Sequence, residues 1–290
     1  MSKTKGKVGF YLFERRHGRK NIGSSRIRGH WLIDKWDEAE EMIYSKLYDV
    51  LIYQKVYEPS IAKKINEDSD TLQILDMCDP DWLEYQPVVE MIQEVDAVTC
   101  SSKGLFDFLT GITNKPVKLI PDRVNLDVLP ERKKHTDEKA TRVGWFGYSH
   151  NDYVLEQVLE PLQREGLKLK VVSDAIYQPR RDKYLDMVEW VKWENQKQAD
   201  KAIQECDFVV MPSGNSPRFV YKSQNKTYQS WALGLPVAKN VPELKRFIDP
   251  KERKKEADKR YKQVEKELTV EKSVEDFKEL IGKVSGGENK

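Results

Sequence analysis

The chain has 290 residues, with 50 Lys and Arg against 48 Asp and Glu and a net charge of +2. That balance offers no global attraction to nucleic acid or an anionic membrane, and 39% apolar residues with 29 aromatic side chains (7 Trp, 13 Tyr, 9 Phe) exclude a disordered chain. Because one hydrophobic core seldom grows beyond ~250–300 residues, the length suits two modest domains.

In chain order, the polar run from Met1 to Lys7 leads directly into a strand. No apolar stretch there could serve as a signal peptide or a transmembrane segment, so cytoplasmic folding is expected. Short runs rich in Val, Ile, Phe and Tyr predict buried strands at Val8–Phe13, Val50–Val56, Leu72–Cys78, Ala97–Ser101 and Val117–Ile120. Amphipathic stretches between them, His30–Lys46 and Pro87–Glu94 among them, predict helical crossovers and hence a parallel sheet. The polar stretch Leu129–Thr141 has the composition of an interdomain linker. The alternation then restarts, with strands expected at Arg142–Phe146, Leu167–Ser173, Met187–Trp193, Phe208–Pro212 and Pro236–Ala238. Helices are expected at Val154–Glu165, Gln196–Glu205 and Lys226–Leu233. Beyond Pro250, sparse apolar anchors (Tyr261, Val264, Leu268, Phe277, Leu280) in a Lys- and Glu-rich background predict two outer helices and a frayed end. Cys78, Cys100 and Cys206 lack the paired spacing of a zinc site or disulfide framework and read as buried thiols.

Ligands of open parallel sheets collect beyond the carboxyl ends of the strands, where helix N-termini present free N–H groups. In the second half the first such loop holds Gly147, Tyr148 and Ser149, with Gly147 permitting close backbone approach. The richest segment follows Pro212. Arg218, Lys222 and Lys226 supply cations there, and Ser213, Ser223, Asn225 and Thr227 supply hydrogen-bond donors at the start of a helix. That chemistry suits a diphosphate without a metal; the bland reading is a solvated loop with Ser223 as a helix cap.

The run Lys222–Val237, whose helix closes on Gly234, Leu235, Pro236 and Val237, resembles the nucleotide-sugar signature of GT-B glycosyltransferases of the group-1, family-four-like type. Gly23–Gly29 resembles their Ser/Arg loop, Leu119–Asn125 the phrase closing their N-terminal domain, and Val143–Gly147 the strand opening their C-terminal domain. The order of motifs matches over roughly the first 245 residues. The family's pair of glutamates falls on Tyr221 and Gln229, so Gln229 is left as a neutral partner for a ribose hydroxyl. The family's diphosphate-binding Arg and Lys after the glycine turn are replaced by Tyr148, Ser149, His150 and Asn151, which leaves Arg218, Lys222 and Lys226 as substitutes.

The resemblance implies an α/β chain of GT-B architecture, two Rossmann-like domains with parallel sheets facing a central cleft. Residues 1–130 would form the acceptor-side domain, 141–249 the nucleotide-sugar domain and 250–290 a helical extension. It implies metal-independent transfer from a nucleotide sugar, of the UDP type, with no cofactor, to a glycan, a small molecule or a hydroxymethylated base in DNA. Charge release at the departing diphosphate would fall to Arg218, Lys222 and Lys226. On the acceptor side stand Gly23, Ser24, Ser25, Arg26 and Arg28, within a loop that also carries Arg15, Arg16, Arg19 and Lys20. Such density suits phosphate or nucleic acid, with Arg26 and Arg28 expected to face the ligand; the alternative is a solvated basic loop. Asp79, between Asp76 and Asp81 at the end of the third expected strand, is the candidate to orient a hydroxyl or act as base. The remaining alternatives are a sugar-nucleotide epimerase and a degenerate module that binds nucleotide or glycan without turnover.

Overall fold

The computed structural model describes residues 7–18 and 22–286. Met1–Gly6, Arg19, Lys20 and the last four residues, on which parts of the sequence reading fall, lie outside the described residues. The chain divides into two compact units. One takes the chain up to Arg123, Val220–Gln224 and everything from Val270 onward; the other takes Val124–Phe219 and Asn225–Thr269.

The first unit is built on strands β1 (Val8–Leu12), β2 (Ala39–Glu41), β3 (Val50–Gln54), β4 (Leu72–Met77), β5 (Ala97–Cys100) and β6 (Val117–Leu119). They form one parallel sheet in the order β2-β1-β3-β4-β5-β6. β1, β3 and β5 are buried along their whole length because both faces of the sheet are covered, which is why their sequences read as continuous apolar runs rather than alternating ones. One face packs Tyr53, Leu75 and Val98 against Ala62 of α4 (Pro59–Asp68), Met91 and Ile92 of α5 (Val88–Glu94), and Leu105 and Leu109 of α6 (Lys103–Ile112). The other packs Phe10, Ile52 and Ile74 against Trp31, Trp36 and the terminal helix α12 (Val270–Ser285), with Phe277 edge-on to Phe10 at 6.3 Å.

The helix expected over His30–Lys46 is displaced. Helical structure instead spans short segments, α1 (Phe13–Arg16), α2 (Gly23–Ser25), a wide turn at Arg26–His30, and α3 (Trp31–Asp34). Ala39–Glu41 then pairs with the open edge of β1. Backbone pairing on that edge outweighs the helix propensity of a Glu-rich run. In the wide turn a Cβ on Gly29 would collide with Leu12, so glycine is what lets this turn lie against β1.

The second unit carries β7 (Arg142–Phe146), β8 (Lys168–Ser173), β9 (Val188–Lys192), β10 (Phe208–Val210) and β11 (Val237–Ala238), all parallel, in the order β11-β10-β7-β8-β9. Leu159 and Leu162 of α7 (Glu156–Arg164) and Leu244 and Phe247 of α10 (Val241–Ile248) cover one face. Ala199, Ala202 and Ile203 of α8 (Gln196–Gln204), with Leu233 and Leu235, cover the other. The helix α9 (Asn225–Ala232) packs through Ala232 on Val264 and Leu268 at the end of α11 (Pro250–Glu267). The expected C-terminal extension is therefore divided, α11 belonging to the second unit and α12 to the first.

Leu129–Thr141, expected as a linker, is docked along the second unit. Lys133 N donates to Leu233 O at 2.9 Å, and Gly234 sits with φ +81° where a Cβ would press on the Lys133 backbone. His135 completes the junction, its Nε2 donating to Gly234 O at 2.8 Å while Nδ1 accepts from Arg253 Nε at 3.3 Å. Burial, with Arg253 and Lys133 nearby, holds the His135 pKa down to about 4. The unfolded chain, with an ordinary histidine near 6.5, binds the proton first, so stability held above pH ~6.5 is lost as pH falls toward 4. Thermal unfolding midpoints measured across that window should show the loss in the wild type and a flatter profile in His135→Gln; parallel profiles would assign the slope to other groups.

Cys78, Cys100 and Cys206 are free and buried, as expected, and burial pushes Cys100 and Cys206 up to about 12. Among the described residues no helix is long and apolar enough to cross a membrane.

Candidate functional site

Each sheet reverses its strand order once, between β1 and β3 in the first unit and between β7 and β10 in the second. Adjacent crossovers leave on opposite faces at such a point, so a crevice opens beyond the carboxyl ends of the two strands.

At the second-unit reversal, β7 ends in Phe146 and the chain turns through Gly147. A Cβ on Gly147 would collide with Lys226 Nζ and lie 2.9 Å from the Trp145 ring. Lys226, at the second position of α9, extends its ammonium over that ring, 5.5 Å from its centroid. The missing side chain, the aromatic floor and the helix N-terminus thus place a cation directly against bare backbone. Helix dipole and ammonium act together there with no side chain between them, a chemistry suited to an anionic oxygen. Trp145 was not among the residues singled out from sequence; its signal was only an aromatic pair, Trp145 and Phe146, at the strand end before the glycine turn.

The other expected donor residues divide. Tyr148 is exposed and stacks on His150 at 5.8 Å. Ser149 gives its N–H to Asp174 at 2.7 Å and its hydroxyl to the same carboxylate at 3.3 Å. Ser213 is exposed and its carbonyl accepts from Gln157. Thr227 is buried in the first turn of α9 and Asn225 half-buried at its start. Arg218 is exposed in the 3-10 turn Pro217–Tyr221. Gln229, expected to meet a ribose hydroxyl, is buried and donates instead to Asp200 Oδ1 at 2.5 Å, which takes its amide into the interior. Gln196 donates to the same oxygen.

Lys222 and Ser223, expected beside Lys226, belong to the first unit. Gly104 makes this possible, since a Cβ there would strike Val220 O. Ser102 donates to Tyr221 O at 2.8 Å, and the Tyr221 ring stands edge-on to Trp82, which stacks on Phe108 at 3.9 Å. Ser223 hydrogen-bonds Asp122.

Among the described residues of the first unit's basic loop, side chains meet partners within the unit. Arg15 pairs with Glu41, Arg16 with Glu58 and His30 with Glu14, while Arg26 lies over Trp31. Arg28 overturns the expectation that it faces a ligand. It is 2% exposed, clamps Asp76 with Nε at 2.8 Å and Nη2 at 2.5 Å, and donates through Nη1 to Asp122 and Ile120 O, both at 2.7 Å. Burial opposes its charge most, yet Asp76 and Asp122 together hold its pKa well above the usual value. Ser25 is likewise interior, donating to Gln54 and accepting from Glu14 N, while Gly23 and Ser24 are half-buried.

Asp79 and Asp81 meet on Lys55, and Asp76 stands apart from them. Asp76 turns to Arg28 and Thr99; Asp81 accepts from Tyr57 at 2.5 Å. Asp79 accepts from Lys55 at 2.7 Å on Oδ2 and stands 4.0 Å from Lys222 at Oδ1. Burial works against the Lys55 ammonium, but Cys78, Asp79 and Asp81 outweigh it and raise its pKa above the ordinary lysine value. Among the described residues no group of three His, Cys, Asp or Glu side chains gathers as for a metal ion.

Two open parallel sheets, each with one order reversal, and a terminal helix belonging to the first unit define the GT-B fold of glycosyltransferases. HepE from Anabaena, solved with UDP and glucose, superposes with a TM-score of 0.66 at 11% identity over 96% of this chain and 99% of its own. A glycosyltransferase from Rickettsia africae gives 0.66 at 9% identity over 99% and 100%. TarM gives 0.59 at 12% identity over 80% of this chain, which spans about half of TarM, 54% of its length. Neither a protein-family model nor a curated protein matches the sequence.

Proposed function

We propose that this protein is a glycosyltransferase that moves a sugar from a nucleotide sugar to an acceptor hydroxyl. The observation that carries the reading is the contact of Lys226 with the bare Gly147 turn at the β7/β10 order reversal. A pyrophosphoryl group there meets an ammonium and a helix N-terminus, so the charge that develops on the departing diphosphate is stabilised by the chain itself rather than by a metal. The acceptor oxygen forms a bond to the anomeric carbon as the bond from that carbon to the diphosphate oxygen breaks. Asp79 is the candidate to take the hydroxyl proton. A UDP-type donor is favoured because HepE, of the same fold, has been solved with UDP-glucose.

Titration calorimetry with UDP, and assays of UDP release from UDP-glucose, UDP-galactose and UDP-N-acetylglucosamine in the presence of acceptor sugars, test the reading. Saturable UDP binding and acceptor-dependent release are expected. Binding without release under all acceptors would make the protein a degenerate nucleotide-binding module, and absence of UDP binding would remove the reading altogether.

A further inference from the structure

The order reversal of the first sheet carries a cluster that no step of donor binding uses. Lys55 follows β3 directly, with a left-handed backbone at φ +55°. Among the described residues the other non-glycine position with positive φ is Tyr85, at +59°, in the loop that follows Asp79 and Asp81. Residues held in so sparsely populated a region concentrate where a side chain must be aimed. The Lys55 side chain is 12% exposed; it bridges Asp79 at 2.7 Å and Asp81 at 3.3 Å and lies over the Phe13 ring at 5.3 Å. Asp79 and Lys222, by contrast, are 35% and 39% exposed.

Two features describe what this opening would receive. First, Lys55 and Lys222 balance Asp79 and Asp81, so the cluster has no net charge and does not attract a phosphate or a nucleic-acid backbone. Secondly, an ionised carboxylate has about four lone-pair sites. Lys55 at 2.7 Å and the Cys78 thiol at 3.7 Å both donate to Oδ2, while Lys222 stands 4.0 Å from Oδ1, so the acceptor capacity left for hydroxyl donors lies on Oδ1. The same strand end holds a buried amide. Gln54, wholly buried, accepts from Phe13 N at 3.3 Å and Ser25 Oγ at 2.9 Å, which fixes its amide orientation and leaves Nε2 with no protein partner.

We propose that Lys55 is a positioning residue that, with Lys222, holds Asp79 as the hydrogen-bonding group for the hydroxyls of an uncharged carbohydrate acceptor. The proposal rests on the glycosyltransferase reading and narrows its acceptor to neutral glycans, against modified DNA or a phosphorylated acceptor.

The test is an array of neutral mono- and oligosaccharides, sulfated and phosphorylated glycans and single-stranded DNA, probed with the full chain with and without saturating UDP. The wild type should retain neutral glycans. Lys55→Met and Lys222→Met should each weaken retention about tenfold, the loss expected when a charge-assisted hydrogen bond is misaligned. Lys55→Arg should keep most of it, which a purely structural loss would not restore selectively. Lys222 is partly exposed, so its variant keeps the test open if Lys55→Met fails to fold. Retention of anionic glycans or DNA instead, or undiminished retention by both Met variants, overturns the proposal. Wild-type UDP binding with no glycan retained sinks this proposal alone, whereas loss of both sinks the glycosyltransferase reading with it.

Discussion

Replacing Lys226 by Ala should lower kcat/KM for the UDP-sugar by about 10²–10³, the loss typical of removing one preorganised group from a developing oxyanion. Gly147→Ala should have a comparable effect without touching any charge. The added methyl group would meet Lys226 Nζ, the far end of a flexible side chain, so the ammonium moves, and it would also press on the buried Trp145 ring at 2.9 Å, which must shift. A displacement of about 1 Å at such a group can cost about 100-fold. Lys226→Ala should unfold near the wild-type temperature, since Lys226 is half-buried, whereas Gly147→Ala should unfold somewhat earlier because the buried Trp145 ring has to shift. Lys226→Arg should recover part of the activity by keeping the charge. Steady-state kinetics and UDP calorimetry on the same preparations decide the matter. Wild-type UDP affinity in Lys226→Ala would place the diphosphate elsewhere.

The second large effect concerns stability. Arg28→Met should destabilise the first unit by about 3–5 kcal/mol, because it leaves two carboxylates, Asp76 and Asp122, in an interior from which their guanidinium has gone. Arg28→Lys should not rescue it fully, since an ammonium cannot reproduce the two-pronged contact with Asp76. Adding Asp76→Asn to Arg28→Met should restore part of the loss by removing one of the stranded charges. Urea unfolding followed by tryptophan fluorescence reads all three. Had Arg28 faced a phosphate, as its loop composition suggested, its removal would weaken acceptor binding and leave the unfolding midpoint unchanged. That pattern in the data would overturn the buried assignment.

The alternation of apolar runs with amphipathic stretches announced two parallel sheets, because a strand covered on both faces must be apolar along its length. Gly234 and Gly147 were legible for a related reason: one needs a left-handed backbone at φ +81°, the other a missing side chain, and both demands are local to the turn. Lys226 could be placed at a helix start by the same local logic. What the sequence did not reveal is which distant group each charged side chain would meet. Arg28 finds Asp76 and Asp122 at 48 and 94 residues' separation, and nothing in the basic loop signals that its guanidinium turns inward. Gln229 is taken by Asp200, and Lys222 by Asp79, through contacts of the same long range. Ala39–Glu41 became a strand only because β1 offered an open edge. Periodicity and turn chemistry act within a few residues and so survive in one dimension, whereas charge pairing and edge pairing depend on which segments folding brings together, and that was decided by the tertiary structure alone.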